Sequence, residues 1–154
     1  MNIAVLVCSY NRVKVTLECL KSLKREIKFA SFKYDIYLTD DNSPDRTGYH
    51  VQNKYPDIHV INGTGDLYWG GGMNMSWDKA SKQGGYDFVL WLNDDVKLLE
   101  GALVTLEMDV ANLSRINKSF NLVGTCIGIS TPECLTYGGR NSKGEIIVPN
   151  GAPK

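Results

Sequence analysis

The 154-residue chain has no excess of either charge: Lys+Arg number 17 and Asp+Glu number 17. Without a basic field or an acidic tail, a general nucleic-acid binder is disfavoured. No Cys-x-x-Cys pair occurs among Cys8, Cys19, Cys126 and Cys134, and no Cys/His set has zinc spacing. An even cysteine count admits two disulfides, but four reduced thiols in a core of this size is the simpler reading and points to the cytosol. The start, Met1-Asn2-Ile3-Ala4-Val5-Leu6-Val7, has no positive n-region and no cleavage site and is too short to span a membrane. A cytoplasmic protein is expected, associated at most with the inner membrane face. There is no Gly-x-Ser-x-Gly elbow, so nucleophilic hydrolase chemistry has no support. Repeats, low-complexity tracts and an interdomain linker are also missing, which leaves one domain over 1–154 with an ordinary hydrophobic fraction of 43%.

What is present is an alternation of apolar runs and helical periodicity. Ile3 to Val7 reads as a strand buried on both faces. Val13, Leu17, Leu20 and Ile27 then recur at helical spacing, with Ser9 or Asn11 as candidate cap. Tyr34–Thr39 is a second strand, followed by a short helix over Asp45–Lys54 that Gly48 weakens. Ile58–Ile61 is a third strand, Asn62–Gly72 a glycine-rich loop, and Met73–Lys82 a helix stopped by Gly84-Gly85. Tyr86–Leu92 is a fourth, buried strand, Leu98–Ile116 a helix and Leu122–Ile129 a fifth strand, with a hairpin near Asn141–Gly144. This order predicts an α/β three-layer fold with a mostly parallel sheet, whose ligands bind at the carboxyl ends of the strands.

Four clusters fall at those ends. Asn93-Asp94-Asp95 closes the apolar run Phe88–Leu92. Adjacent carboxylates repel unless something positive sits beside them, and Mg²⁺ or Mn²⁺ bridging to a phosphate is one answer; a strand end followed by a helix cap is the plain alternative. Cys8-Ser9-Tyr10-Asn11-Arg12 follows strand one, where Tyr10 offers a ring face and a hydroxyl, or simply a turn. Asp40-Asp41-Asn42-Ser43-Pro44-Asp45 follows strand two and could accept from a base or a ribose, or be a solvated turn with Asp45 as cap. Gly63 to Asn74 carries Gly70-Gly71-Gly72 before a helix, where backbone N–H groups could meet an anion. It lacks the Gly-Lys-Ser/Thr ending of a P-loop and the dinucleotide glycine spacing, and a flexible loop would explain it equally. Trp69 is either a core anchor or a stacking surface, and His59 reads as an edge residue rather than a ligand.

In this order the clusters resemble a family 2 glycosyltransferase of the GT-A fold, the Rossmann-like nucleotide-diphospho-sugar transferases. Val7–Arg12 is similar to the opening "(S/T)-Y-N-R" segment, Asp40–Asp45 to the "D-D-x-S-x-D" turn, Asn62–Asn74 to the "N-x-G-x-x-G-G-x-N" loop and Leu92–Asp95 to the "D-x-D" metal motif. The glycine loop resembles the rhamnosyltransferase-like branch. The resemblance implies a nucleotide-diphosphate sugar donor, UDP- or dTDP-linked first, with Cys8, Tyr10, Arg12, Asp40 or Asp41, Gly72, Asn74 and Asp94 around the nucleotide and sugar. Asp95, with Asp94 beside it, would hold Mg²⁺ or Mn²⁺, although Asn93 replaces the motif's first Asp. It further implies inverting transfer to a glycan, lipid or protein hydroxyl, helped by a carboxylate base. In the family that base lies downstream, on a segment expected beyond Lys154, so the chain is expected to hold the nucleotide-binding half. A non-catalytic nucleotide-sugar module is the alternative. A phosphoacceptor signalling domain would carry its acid pair after strand one, and a nucleotidyltransferase would carry a glycine-rich basic loop there; neither is present.

Overall fold

The computed structural model describes residues 1–116, 120–122, 124, 126–127 and 135–137, in two compact units, Met1–Asp109 and Val110–Lys154. The first unit is built on four strands: β1 (Asn2–Ser9), β2 (Lys33–Asp40), β3 (His59–Asn62) and β4 (Phe88–Trp91). They form one parallel sheet in the order β3-β2-β1-β4. Ile3 to Ser9 are all buried, as a strand covered on both faces requires. His59 stands on the edge strand, exposed, with its ring stacked on Tyr37 at 4.6 Å.

Three helices cover one face: α1 (Val13–Ile27), α2 (Thr47–Lys54) and the start of α4 (Ala102–Ile116). Cys19, Leu20 and Leu23 of α1, Val51 of α2 and Leu103 of α4 pack with Ile3, Val5, Val7, Ile36 and Leu38. Each such aliphatic side chain contributes about 1.5–3 kcal/mol on leaving water. The buried acid Glu107 ties α4 to the start of β2, accepting from the backbone of Ser31 and Phe32 and from the Tyr34 hydroxyl. Burial and that neighbouring carboxylate push the Tyr34 hydroxyl well above its ordinary pKa.

The other face is covered by α3 (Tyr68–Gln83), through Met73 and Ala80 against Ala4, Leu6, Cys8 and Tyr37. Here the structure corrects the sequence reading. The helix begins at Tyr68, not Met73, and Gly70-Gly71-Gly72 lie within its first turns rather than in a loop cradling an anion. Gly72, Ser76 and Ala80 recur every four residues, so small side chains line the helix face toward the sheet. A Cβ at Gly72 would run into the Cys8 sulfur and stand 3.1 Å from Cys8 Cβ. The Ser76 hydroxyl, equally buried, bonds to Thr39 Oγ1 at 2.8 Å and donates to the Val7 carbonyl at 3.3 Å. Close packing, not helix propensity, places these residues.

Four further expectations change. Strand β4 is half-buried on one face, at Phe88 and Leu90, and exposed on the other: Val89 is 38% and Trp91 52% exposed. Helix α1 is capped neither by Ser9 nor by Asn11; its first N–H, on Val13, donates to Asp45 Oδ2 at 2.9 Å. Helix α2 starts at Thr47 because Asp45 Oδ1 accepts from the backbone and hydroxyl of Thr47. Helix α4 starts at Ala102, after Gly101 at φ +79°. In the second unit, β5 (Cys126–Ile127) pairs antiparallel with β6 (Leu135–Tyr137). The rest of the expected fifth strand is described only at Leu122 and Gly124, and the Asn141–Gly144 hairpin lies outside the described residues. Of the cysteines whose side chains are described, Cys8 and Cys19 are free and buried.

Candidate functional site

The chain leaves β1 for β2 and β3 on one side and returns to place β4 on the other. The sheet order therefore reverses between β1 and β4, and the crevice at their carboxyl ends is where open α/β sheets take ligands. The clusters after β1 and β4 meet there, and the glycine cluster reaches them through Trp69. Arg12 Nη1 lies 3.2 Å from Asp94 Oδ1 and 3.3 Å from Asp95 Oδ2. The charge expected between the paired acids is thus supplied in part by the chain itself. Asp94 is nearly buried, and its second oxygen accepts from the Thr16 hydroxyl at 3.2 Å, which in turn bonds to Ser9 Oγ at 2.7 Å. Asp95 leaves 54% of its side chain exposed. Thr16 was missed in the sequence reading; its signal is a hydroxyl at a buried helical position one turn from Leu20.

Asn93, in the place of the metal motif's first acid, accepts from Trp69 Nε1 at 3.1 Å. Trp69 is exposed, so it is a surface ring rather than a core anchor. Its ring lies edge-on to Trp91 at 5.7 Å, and Trp91 lies edge-on to Trp77 at 6.2 Å. Asn74 is exposed on α3 and lines a shallow hollow with Gly70, Trp77 and Trp91. Tyr10, two residues before Arg12, is 53% exposed.

The acids after β2 are turned inward. Asp40 holds the turn to α2, accepting from the backbone and hydroxyl of Ser43 and from Gly48 N at 2.8 Å. Gly48 is glycine for that reason: a Cβ there would sit 2.6 Å from Asp40 Oδ2. Asp41 accepts from the N–H groups of Gly65 at 2.7 Å, Leu67 at 2.9 Å and Tyr68 at 3.2 Å. The start of α3 is therefore an anion site, filled by the chain's own carboxylate rather than by a phosphate. Cys8 and Gly72 are packing partners in the same wall. Burial, then the charges of Asp41, Asp94 and Asp40, push the Cys8 thiol up to about 11, which keeps it neutral and unreactive.

No three side chains of metal-ligating type converge among the described residues. Asp95, with Asp94 behind it, offers one or two carboxylates. That suits Mg²⁺ or Mn²⁺, which are commonly held by one or two carboxylates and completed by substrate phosphates.

The family model for "Glycosyl transferase family 2" matches residues 4–106, from β1 into α4 and across all four clusters. This chain belongs to glycosyl transferase family 2. Over 127 residues this family 2 chain is 30% identical to the GalNAc(5)-diNAcBac-PP-undecaprenol beta-1,3-glucosyltransferase of Campylobacter jejuni, a match covering 81% of this chain and 38% of that protein. Its fold resembles S. aureus TarS 1-349 in complex with UDP (TM-score 0.56, 24% identity, 75% of this chain and 32% of that one). It also resembles a mannosyltransferase of Pyrobaculum calidifontis in complex with GDP-Man and Mn²⁺ (TM-score 0.55, 20% identity, 82% and 35%). These likenesses establish the GT-A fold. The family 2 chain spans between 32% and 38% of the length of these relatives. Among the described residues no helix is long and apolar enough to cross a membrane.

Proposed function

We propose that this family 2 chain binds a nucleotide-diphosphate sugar in the crevice between β1 and β4 and serves its metal-dependent, inverting transfer to an acceptor hydroxyl. The observation that carries the reading is the Asp94–Asp95 pair, set at the switch point with Arg12 between its carboxylates. Asp95, exposed, and Asp94 would hold Mg²⁺ or Mn²⁺, which when bound neutralises charge on the departing diphosphate. Arg12 is a fork suited to phosphate oxygens. Tyr10 presents an open ring to the base, and Asn74 stands toward the sugar. Asp40, Asp41, Cys8 and Gly72 serve the nucleotide indirectly, by holding the walls.

Uridine and thymidine are the preferred bases; the UDP complex of TarS supports the first, and the GDP-Man complex keeps guanosine in the comparison. The PP-undecaprenol in the name of the Campylobacter jejuni relative supports a lipid-linked glycan acceptor at the cytoplasmic membrane face, and a role in polysaccharide assembly. No residue named above is assigned as general base. The test is a thermal-shift panel of UDP-, dTDP- and GDP-sugars with and without Mn²⁺. The expected result is a metal-dependent rise in Tm with one base, through mass action on the folded state. In Asp95→Ala the metal-dependent part disappears while the ligand-free transition is kept. No rise with any nucleotide at millimolar concentration would refute the reading.

A further inference from the structure

The geometry points to Arg12 as a resident counter-cation that competes with the divalent ion for Asp94 and Asp95, so that metal and diphosphate bind as a coupled pair. The inference rests on the donor-site reading above and concerns how that site is filled. One guanidinium nitrogen, Nη1, reaches both carboxylates, at 3.2 and 3.3 Å, so the cation already stands where a bridging ion would find its oxygens. A guanidinium does not lose its proton in a protein, so competition is the way it leaves.

The backbone that carries Arg12 is pinned. Asn11 N donates to Ser43 Oγ and Val13 N to Asp45 Oδ2, each at 2.9 Å, while the Arg12 carbonyl accepts from Thr16 N at 2.9 Å. The side chain itself is 52% exposed, at the mouth of the crevice. A fixed pivot with a long free arm allows the guanidinium to swing without disturbing α1. Its two partners differ in freedom. Thr16 holds Asp94 in place, whereas Asp95 is open to solvent. Exposed pairs of the Arg12–Asp95 kind are weak and exchange readily.

Charge decides the order of events. Two carboxylates and one guanidinium sum to one negative charge, a poor match for a dication that must also approach the guanidinium. A diphosphate offers Arg12 a bidentate alternative at higher charge. With the arm moved to the diphosphate, the acid pair regains its second negative charge and the ion is held from both sides. Metal alone is then bound weakly, and metal with diphosphate strongly.

The test is a Mn²⁺ titration of the 154-residue chain, read by the loss of the free-ion electron paramagnetic resonance signal, with and without UDP, each series referred to a protein-free blank because UDP itself complexes Mn²⁺. Wild type should bind Mn²⁺ alone weakly and with UDP at least about tenfold more tightly. Arg12→Gln should bind Mn²⁺ alone about tenfold more tightly than wild type, the effect of removing one positive charge a few ångströms from a partly exposed dication. UDP should then tighten it less. Arg12→Lys, which keeps the charge, should stay near wild type. Should the glutamine variant lose its melting transition, Arg12→Met keeps the apolar stem and takes its place. Equal Mn²⁺ affinity of Arg12→Gln and wild type without UDP overturns the inference while leaving the donor site standing. Failure of UDP to promote Mn²⁺ binding in every variant overturns both.

Discussion

The three consecutive glycines at the start of α3 make one substitution with three different outcomes. Gly70, Gly71 and Gly72 are all helical, so Gly→Ala restricts the unfolded chain and improves helix propensity by about 0.5–1 kcal/mol at each. Their surroundings differ. A Cβ at Gly70 meets nothing within 4 Å, one at Gly71 meets Leu67 Cβ at 3.1 Å, and one at Gly72 runs into Cys8, whose Cβ alone is 3.1 Å away. Cys8 sits on β1, paired with Thr39 of β2, and rotating its thiol does not move its Cβ. Overpacking of this kind costs about 1–3 kcal/mol, which exceeds the propensity gain. Gly70→Ala should therefore gain up to about 1 kcal/mol, Gly71→Ala should stay near neutral, and Gly72→Ala should lose about 1–2 kcal/mol. Urea unfolding followed by far-UV circular dichroism, with m unchanged across the set, measures each value. In a double-mutant cycle, Cys8→Ala should recover part of the Gly72→Ala loss, with a coupling of about 0.5–2 kcal/mol. If Gly72→Ala is as stable as Gly70→Ala, the close approach of α3 to β1 is wrong, and with it the explanation of why a glycine run sits inside a helix.

Three other outcomes follow from the same walls. Asp41→Asn replaces one carboxylate oxygen by an amide facing backbone N–H groups; it should cost about 2–3 kcal/mol and speed hydrogen exchange at Leu67 and Tyr68, and unchanged exchange there would refute the capping role. Burial raises the Asp45 carboxyl, but hydrogen bonds from Thr47 and Val13, with nearby His50, outweigh it and leave it below the ordinary carboxylate value. Its contribution is present above the unfolded pKa of about 3.9 and is lost as pH falls through the lower folded value, so Asp45→Asn should flatten the acid limb of a pH–stability curve. The Cys8 thiol, raised to about 11, should react with iodoacetamide at pH 8 more than about a hundredfold more slowly in the folded chain than in urea. Because the neutral thiol is the form the fold prefers, that stability is complete below about pH 8.5 and falls away as pH climbs toward 11. Peptide mapping separates Cys8 from the other three cysteines, and equal rates would refute its burial.

Much of this architecture was legible in the residues. The apolar run Ile3–Val7 and the α1 stripe appear where periodicity places them, and the alternation of elements predicts the parallel sheet. What failed was local. Glycine is read from sequence as a break in a helix, yet Gly70–Gly72 are held helical by the need to bring α3 against Cys8, which only the tertiary structure reveals. The spacing Gly72, Ser76, Ala80 was the available signal. Phe88–Leu92 looked like a two-sided buried strand because apolar content does not say which face a neighbour covers; Val89 and Trp91 are open in the described sheet. The cap of α1 was misassigned because Asp45, which also holds the start of α2, reaches across 32 residues of sequence to cap α1, a partner no local pattern can reveal.

The acids show most plainly why type and spacing located the crevice without assigning its roles. Asp40-Asp41 and Asp94-Asp95 are the same dipeptide at the ends of two parallel strands, and in sequence they are equivalent. Backbone N–H groups separate them. After β2, the turns at Ser43–Gly48 and Gly65–Tyr68 close over both carboxylates and give each three hydrogen bonds, so that pair sets loop shape and the position of α3. After β4, Asp94 is held by Thr16 from one side and Arg12 from the other, while Asp95 meets the half-exposed Arg12 guanidinium and is itself 54% exposed. A buried carboxylate that already accepts three hydrogen bonds has little left to offer a ligand, whereas an exposed one in a weak ion pair gives up its partner cheaply. Asp40 and Asp41 thus build the walls of the crevice, Asp94 stands beside Arg12 at its edge, and Asp95 is the acid most open to a ligand. The same reasoning makes Asp95 the position where loss of charge should leave the fold intact and remove metal, and Asp41 the position where loss of charge should damage the fold first.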